Sequence, residues 1–292
     1  MIRGIYAPIA TPFVDDRIAY DNLGENLDKW AQTDLTGVVV LGSNGEFVLL
    51  DEEEKVELVE FCAKRLEGKK KIIVGTGCES TRATIRLTKK VAEFGIEAAL
   101  IVTPSYYKGA MTDPTLKKFF FECADASPVP VFLYNMPRNT GVNMGAELVL
   151  SLAEHPNIHG IKDSGGQIVQ ISEILAGAPS GFSVFAGSGS FLLTTLAMGG
   201  AGGTLAVANV LPNECAAIQS LYESGNLEAA RDLQFKILEA NKAVTTGFGI
   251  PGLKAALDII GYYGGDPRPP LQPLAEAGRA KIREILSRVG AV

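Results

Sequence analysis

Eight short apolar runs, rich in Val, Ile and Leu, recur along the chain and are separated by longer amphipathic stretches. None of these runs alternates apolar and polar residues, as expected for parallel strands that are covered on both faces. The runs span residues 4–11, 37–41, 71–75, 98–102, 131–134, 158–162, 182–186 and 202–206. Eight strand–helix units with crossovers of this length favour a closed barrel over an open doubly wound sheet. We therefore predict an α/β fold, a (β/α)8 TIM barrel.

The helical stretches carry their own boundary signals. The acidic run 51–54 complements the helix dipole at a helix start, and Ser80 precedes another helix as an N-terminal cap. In the last part of the chain the pattern is helical only, with segments at 212–224, 226–244, 252–262 and 273–287. We expect the first of these to complete the barrel. The predicted organisation is a barrel at 1–224 that carries the active site, and a C-terminal three-helix extension at 225–292 that packs on it.

Charge and cysteine content exclude several function classes. The 292 residues carry a net charge of −6 and no basic arm, which argues against a nucleic-acid partner. The four cysteines form no C-x-x-C pair, as expected in a reducing compartment. No apolar run approaches the ~18 residues of a membrane span, and a first strand that begins at Gly4 leaves no room for a targeting peptide. We expect a cytoplasmic protein with no membrane association; a mitochondrial matrix location stays open if a transit peptide was removed.

Polar side chains collect at the carboxyl ends of the predicted strands, where barrels of this type carry their chemistry. The strand ends are Gly42–Glu46 on strand two, Thr103–Tyr107 on strand four, Tyr134–Asn135 on strand five and Lys162 on strand six. The Gly42–Glu46 turn can point backbone N–H groups at a carboxylate, with Ser43 and Asn44 adding side-chain donors. Tyr134 can relay protons, because a phenol both donates and accepts hydrogen bonds. The many hydrogen-bond donors at this end of the barrel indicate an acidic small molecule as the ligand.

Lys162 is the residue on which the chemistry depends, because it closes a buried strand. Lowering the pKa of an amine from about 10.4 to near neutrality corresponds to ~4 kcal/mol. A neutral amine condenses with a ketone to a Schiff base, whose iminium withdraws electrons so that carbon–carbon bonds break or form. The position at a strand end does not by itself decide this, because a lysine there can also extend its ammonium group into water.

Other chemistries have no support in the sequence. The two histidines, His155 and His159, cannot furnish the histidine cluster of a zinc-dependent aldolase. No G-x-S-x-G elbow is present, so a serine-hydrolase triad is not indicated. The G-x-G-x-x-G match at 247–252 follows a predicted helix, whereas a dinucleotide fingerprint follows a strand. We therefore predict no metal and no external cofactor.

Three segments, 42–46, 134–141 and 160–166, together resemble the dihydrodipicolinate synthase and N-acetylneuraminate lyase superfamily. The resemblance extends across nearly the whole chain. It implies a barrel with a C-terminal helical extension, usually a homotetramer built as a dimer of dimers. It also implies that Lys162 forms a Schiff base with pyruvate and that Tyr134 relays protons.

The same resemblance assigns the remaining site residues. Ser43 and Asn44 occupy the position that binds the pyruvate carboxylate, and the Ser43 hydroxyl joins the proton relay. A second tyrosine, contributed to the neighbouring subunit's site to take part in the proton relay, matches Tyr106, with Tyr107 as the alternative one position on. The expected contacts for the distal part of the substrate are Asn139, Ser164 and Gly165. Ser164 alternatively caps the following helix.

A few positions distinguish the activities within this superfamily. Dihydrodipicolinate synthases usually carry two threonines in place of Ser43 and Asn44, and an arginine in place of Asn139. Here Arg138 lies one residue earlier. These features and the segment 248–265 look most like 4-hydroxy-2-oxoglutarate aldolases, which implies cleavage to pyruvate and glyoxylate. The alternatives are 4-hydroxy-tetrahydrodipicolinate synthesis, cleavage of a 2-keto-3-deoxy sugar acid and, outside the enzymes, an idle pyruvate-binding barrel.

Overall fold

Eight parallel strands close into a barrel in the computed structural model, which describes residues 1–292. The strands in chain order are β1 (Gly4–Pro8), the hairpin strands β2 (Phe13–Val14) and β3 (Arg17–Ile18), then β4 (Gly37–Val40), β5 (Lys71–Gly75), β6 (Ala98–Val102), β7 (Val131–Asn135), β8 (Ile158–Asp163), β9 (Ser183–Ala186) and β10 (Gly202–Thr204). Strand β1 pairs with both β4 and β10, which closes the ring. The predicted (β/α)8 barrel with a C-terminal helical extension is confirmed.

Helices cover the outside of the barrel and continue beyond it. They are α1 (Tyr20–Ala31), α2 (Glu52–Leu66), α3 (Thr81–Ala92), α4 (Asp113–Ala126), α5 (Pro137–Thr140), α6 (Ala146–Ala153), α7 (Ile168–Gly177), α8 (Leu192–Ala197), α9 (Pro212–Glu223), α10 (Leu227–Lys242), α11 (Gly249–Ile259) and α12 (Glu276–Arg288). The Ser80 hydroxyl accepts a hydrogen bond from the Ala83 N–H at 3.2 Å, which caps α3 at its predicted start. None of these helices combines the length and the apolar character needed to cross a membrane.

The first strand is shorter than predicted. The apolar run extends to Thr11, but the chain leaves the sheet after Pro8. The side-chain amide of Asn209 donates to the Pro8 carbonyl at 2.9 Å and so takes the place of a strand neighbour. The freed segment leads into the β2–β3 hairpin, which the sequence did not indicate.

The C-terminal extension consists of α10, α11 and α12. The predicted helix 226–244 ends two residues early and continues as a π-helical turn at Ala243–Gly247, which leads into α11. We propose the boundary between barrel and extension at residues 224 and 225, in the turn that joins α9 to α10. Apolar residues of both parts belong to one continuous core.

Large aromatic side chains fill the interior of the barrel. Tyr6, Phe132 and Phe185 are almost completely buried, and they pack edge to face or tilted with ring centroids 5.4 to 5.7 Å apart. Phe132 lies two residues before Tyr134 on β7, so the aromatic layer lies below the carboxyl ends of the strands. The barrel is therefore closed beneath the mouth that the functional residues line.

Candidate active site

Lys162 and Tyr134 lie side by side at the top of the barrel. They are paired in the register of β8 with β7, which brings both side chains to the same level of the inner face. Lys162 is only 3% exposed, and its Nζ lies 4.1 Å from the centroid of the Tyr134 ring. The strand ends thus hold an amine against a phenol in a nearly dry environment.

The phenol of Tyr134 is more acidic than an ordinary tyrosine. Its burial opposes ionisation, but the adjacent positive charge of Lys162 and the hydrogen bond with Ser43 outweigh burial and lower the pKa of Tyr134. The Tyr134 Oη and the Ser43 Oγ are 3.2 Å apart. Tyr134 can therefore exchange a proton with groups at the Lys162 amine, with Ser43 as the next hydroxyl in line.

The turn after β4 carries Ser43 and Asn44. These residues begin a 3-10 helical turn, Ser43–Gly45, which lies between two non-glycine residues in the left-handed region, Leu41 at φ 59° and Glu46 at φ 57°. The side-chain Nδ2 of Asn44 is buried and has no hydrogen-bond partner within the chain. A buried donor without a partner is unfavourable, so Asn44 is prepared to donate to a ligand.

The loop after Lys162 is held from behind by a buried carboxylate. Asp163 is completely buried, and its Oδ1 accepts from the N–H groups of Gly165 at 2.8 Å and Gly166 at 3.3 Å. The N–H of Gly165 is therefore already used within the protein. The N-terminal cap of α7 is Gln167, so the alternative that Ser164 caps this helix is wrong.

A cavity of about 520 Å³ opens above Lys162. All predicted site residues except Tyr106 line it, namely Ser43, Asn44, Tyr134, Asn139, Lys162, Ser164 and Gly165. These residues lie on or after three strands, β4, β7 and β8, and the barrel topology brings them to one place. Asn139 is exposed on α5 at the rim, whereas Tyr134 and Lys162 form the base.

Tyr106 lies outside this cavity. Its side chain is 80% exposed and packs at 5.0 Å, edge to face, on the ring of Tyr107, which is 73% exposed. The backbone N–H of Tyr106 donates to Glu79 at 3.0 Å and fixes the loop. Neither tyrosine contacts the site of its own chain, and the assignment of one of them to a neighbouring subunit's site stays a prediction.

Several cavity residues were not predicted. They are Arg138 beside Asn139, the hydroxyl residues Ser188, Ser190 and Thr204, and Thr245 and Thr246 on the π-helical turn. Ser188 and Ser190 follow β9, so the rule that found the other strand ends would also have found them. The two threonines come from the extension, and no local pattern indicates that the extension reaches the barrel mouth. The cavity lining contains no aspartate or glutamate.

Comparisons with known proteins agree with this geometry. The Dihydrodipicolinate synthetase family pattern matches residues 1–289. The chain is 35% identical over 293 residues to 4-hydroxy-tetrahydrodipicolinate synthase of Thermodesulfovibrio yellowstonii, with both chains covered completely. It is 34% identical to "Probable 4-hydroxy-2-oxoglutarate aldolase, mitochondrial" of Emericella nidulans, with 98% of this chain and 94% of that protein covered.

A solved structure gives the same result. The structure of YagE from E. coli K12, a prophage protein of the dihydrodipicolinic acid synthase family in complex with pyruvate, superimposes with a TM-score of 0.94 at 26% identity. Both chains are covered completely. The chain therefore belongs to the dihydrodipicolinate synthetase family, and it is a carbon–carbon lyase that forms a lysine Schiff base with pyruvate.

Proposed function

We propose that Lys162 is the lysine that forms the Schiff base with pyruvate. The observation that carries this proposal is the position of its amine, nearly buried at the base of the cavity and 4.1 Å from the ring of Tyr134. Lys162 is also the lysine among the residues that line this cavity. The step requires the amine in its neutral form, which is the nucleophile.

The pyruvate part of the substrate binds at the turn after β4. Its carboxylate accepts hydrogen bonds from the buried Nδ2 of Asn44 and from the N–H groups of Ser43 and Asn44, because those of Gly45 and Glu46 already donate within the turn. This orientation directs the C2 carbonyl toward Lys162 and Tyr134. Ser43 lies between the carboxylate and Tyr134, and its hydroxyl is the next group of the proton relay.

The reaction follows from these positions. The Lys162 amine attacks C2 of a 4-hydroxy-2-oxo acid, and Tyr134 delivers the proton with which the carbinolamine oxygen leaves as water. The resulting iminium is the electron sink: loss of the C4 hydroxyl proton breaks the C3–C4 bond, and the aldehyde leaves. The pyruvyl enamine is protonated at C3, and water hydrolyses the iminium to release pyruvate and the free amine.

For the distal part of the substrate, we propose a second carboxylate. The cavity lining carries the cationic side chain of Arg138, the reacting amine of Lys162 and no acidic side chain. A doubly negative oxo acid fits this balance, with its distal carboxylate on Arg138 and with Asn139 and Ser164 as neutral neighbours. The substrate that the lining favours is 4-hydroxy-2-oxoglutarate, cleaved to pyruvate and glyoxylate.

A second candidate is 4-hydroxy-tetrahydrodipicolinate synthesis, and the names of the relatives favour it over the first. The relative at 35% identity carries that name, and it is covered over its whole length, against 94% for the aldolase relative at 34%. The aldehyde partner in this synthesis brings an amine that becomes the ring nitrogen of the product. The lining of the cavity above Lys162 offers an ammonium group no carboxylate partner, and the carboxylates of Glu46 and Glu79 lie in the adjoining cavity of about 630 Å³; we therefore place this activity second.

Reductive trapping tests the role of Lys162. After incubation with pyruvate and sodium borohydride, intact-mass spectrometry and peptide mapping should locate a pyruvyl adduct on Lys162, and Lys162→Ala should remain folded without adduct or turnover. An adduct on another lysine, or substantial turnover by the variant, would contradict the assignment. The substrate is decided separately, by product analysis with 4-hydroxy-2-oxoglutarate, with a 2-keto-3-deoxy sugar acid, and with pyruvate plus aspartate semialdehyde.

A further inference from the structure

A completely buried ion pair lies next to the site without lining its cavity. The Nζ of Lys254 is 2.7 Å from the Oε1 of Glu46, and the two side chains are 1% and 0% exposed. Burial of two charges is unfavourable unless their geometry compensates for the loss of hydration. Two apolar side chains could fill the same space without this cost. Packing alone therefore does not explain why the chain has an ion pair here.

Glu46 is part of the turn that carries Ser43 and Asn44. It follows the Ser43–Gly45 helical turn directly, and its N–H donates to the Ser43 carbonyl at 3.2 Å. Its backbone is left-handed, with φ at 57°. The left-handed backbone conformation is unfavourable for a residue other than glycine. Contacts of Glu46 with the surrounding structure must therefore hold its backbone there.

Both oxygens of the Glu46 carboxylate are held by the C-terminal part of the chain. Lys254 on α11 contacts Oε1, and the backbone N–H of Arg268 donates to Oε2 at 2.8 Å. Lys254 is itself fixed, because it also donates to the Asp266 carbonyl at 2.9 Å and lies over the Phe13 ring at 4.5 Å. The extension thereby holds the turn at Glu46, one of its two non-glycine residues in the left-handed region.

We propose that Glu46 and Lys254 are positioning residues, which hold Ser43 and Asn44 where they bind the pyruvate carboxylate. This proposal rests on the function proposed above for Ser43 and Asn44. Neither charged group lines the cavity above Lys162, and both side chains are almost completely buried; Glu46 borders an adjoining cavity of about 630 Å³ that shares Ser43 with it. Without the pair, Glu46 is free to leave the left-handed region, and the turn loses the geometry that directs the Asn44 donor into the site.

Three variants test the proposal: Glu46→Gln, Lys254→Met and the double variant. The readout is the pyruvate concentration that gives half-maximal trapping by borohydride, measured beside thermal unfolding. We expect each single variant to unfold at lower temperature, since it leaves one buried charge without its partner. We expect half-saturating pyruvate to rise on the order of tenfold to a hundredfold, with a smaller change in the maximal trapping rate.

The double variant separates positioning from stability. It leaves no unpaired charge, so its unfolding temperature should recover, while its half-saturating pyruvate should stay raised. Arg279→Met is the control, because Arg279 pairs with Asp258 within the extension at 3.2 Å and does not reach the turn. A stable double variant that binds pyruvate as the wild type does would overturn the positioning role. Absence of trapping in the wild type would instead overturn the proposed function.

Discussion

Tyr134 contacts both the Lys162 amine and the Ser43 hydroxyl. Its ring packs against the Lys162 amine and its hydroxyl contacts Ser43, and on these contacts we propose that one side chain orients the nucleophile and relays the proton. The charge of Lys162 and the Ser43 hydroxyl overcome the effect of burial and lower the pKa of Tyr134. A phenol whose pKa is closer to neutrality donates and regains a proton more readily at working pH.

Removal of this hydroxyl should slow the chemistry and preserve the site. Tyr134→Phe keeps the ring over Lys162 and deletes only the proton relay. We expect the kcat to fall about 10²- to 10⁴-fold, the range of a general acid–base group, with a slow but detectable pyruvate adduct. Steady-state kinetics and trapping measure the two effects. Tyr222→Phe, outside the cavity, is the matched control, and an unchanged kcat in Tyr134→Phe would refute the relay.

Arg138 is the second residue whose role can be isolated. It lines the cavity rim on α5 and supplies the positive charge that we assign to the distal carboxylate. Arg138→Met should raise the KM for 4-hydroxy-2-oxoglutarate about tenfold to a hundredfold, since a hydrogen bond to a charged group contributes about 1.5–3 kcal/mol. Half-saturating pyruvate in the trapping assay should not change, because pyruvate itself has no distal carboxylate.

The control for this prediction is Arg231→Met, which removes an exposed arginine from α10, outside the cavity. If Arg138→Met weakened pyruvate trapping as strongly as it weakened the cleavage reaction, Arg138 would act on the whole site and the distal assignment would be wrong.

At the scale of elements, Arg268 ties the segment after α11 to α2. Its guanidinium donates to both oxygens of Glu54, each at 2.7 Å, and to the Leu49 carbonyl at 3.0 Å. These hydrogen bonds lower the pKa of Glu54 below its ordinary value of 4.5. The same Glu54 accepts from the Asp51 N–H at 3.0 Å, so a single carboxylate both caps α2 and anchors the extension.

This pairing predicts how stability depends on pH. Because the pKa of Glu54 is lower in the folded state, its contribution is fully present above about pH 4.5 and is lost as the pH falls through the folded value. Glu54→Gln should therefore lower the free energy of unfolding by about 1–3 kcal/mol at neutral pH. The difference from the wild type should narrow as the pH is lowered below 4.5, as measured by urea unfolding.

The exposed neighbour Glu53 offers the matched control, because Glu53→Gln removes the same charge from α2 without the contact to Arg268. A wild-type-to-variant difference for Glu54→Gln that stayed constant from neutral to acid pH would show that the carboxylate does not stabilise the fold through its charge.

At the scale of the whole molecule, the barrel could be predicted from the sequence, and so could the grouping of most candidate site residues around one cavity. Continuous apolar runs indicate buried parallel strands, and parallel strands place all their carboxyl ends at one mouth. Lys162 and Tyr134 could therefore be assigned to one site although they lie far apart in the sequence. The end of β1 was misplaced because the Asn209 amide, more than half the chain away, decides where that strand stops.

Contacts made by the extension were beyond the reach of the sequence. Thr245 and Thr246 line the cavity only because α10 ends in a π-helical turn, which has no recognisable local signal. The pairing of Glu46 with Lys254 depends on how α11 docks on the barrel, and a lone lysine in an amphipathic helix is ordinarily solvent-exposed. Local patterns specify elements; the docking of one element on another depends on the packing of many side chains at once.

The aromatic layer formed by Tyr6, Phe132 and Phe185 has a kinetic consequence. Because this layer closes the barrel beneath the cavity, the cavity opens only at the carboxyl ends of the strands. Both products therefore leave by the route through which the substrate enters. In the mechanism that we propose, pyruvate stays covalently attached to Lys162 at the inner end of the cavity while the aldehyde lies toward the opening. We therefore expect the aldehyde to leave first and water to reach the remaining imine through the space that the aldehyde vacates, which is a fixed order of product release.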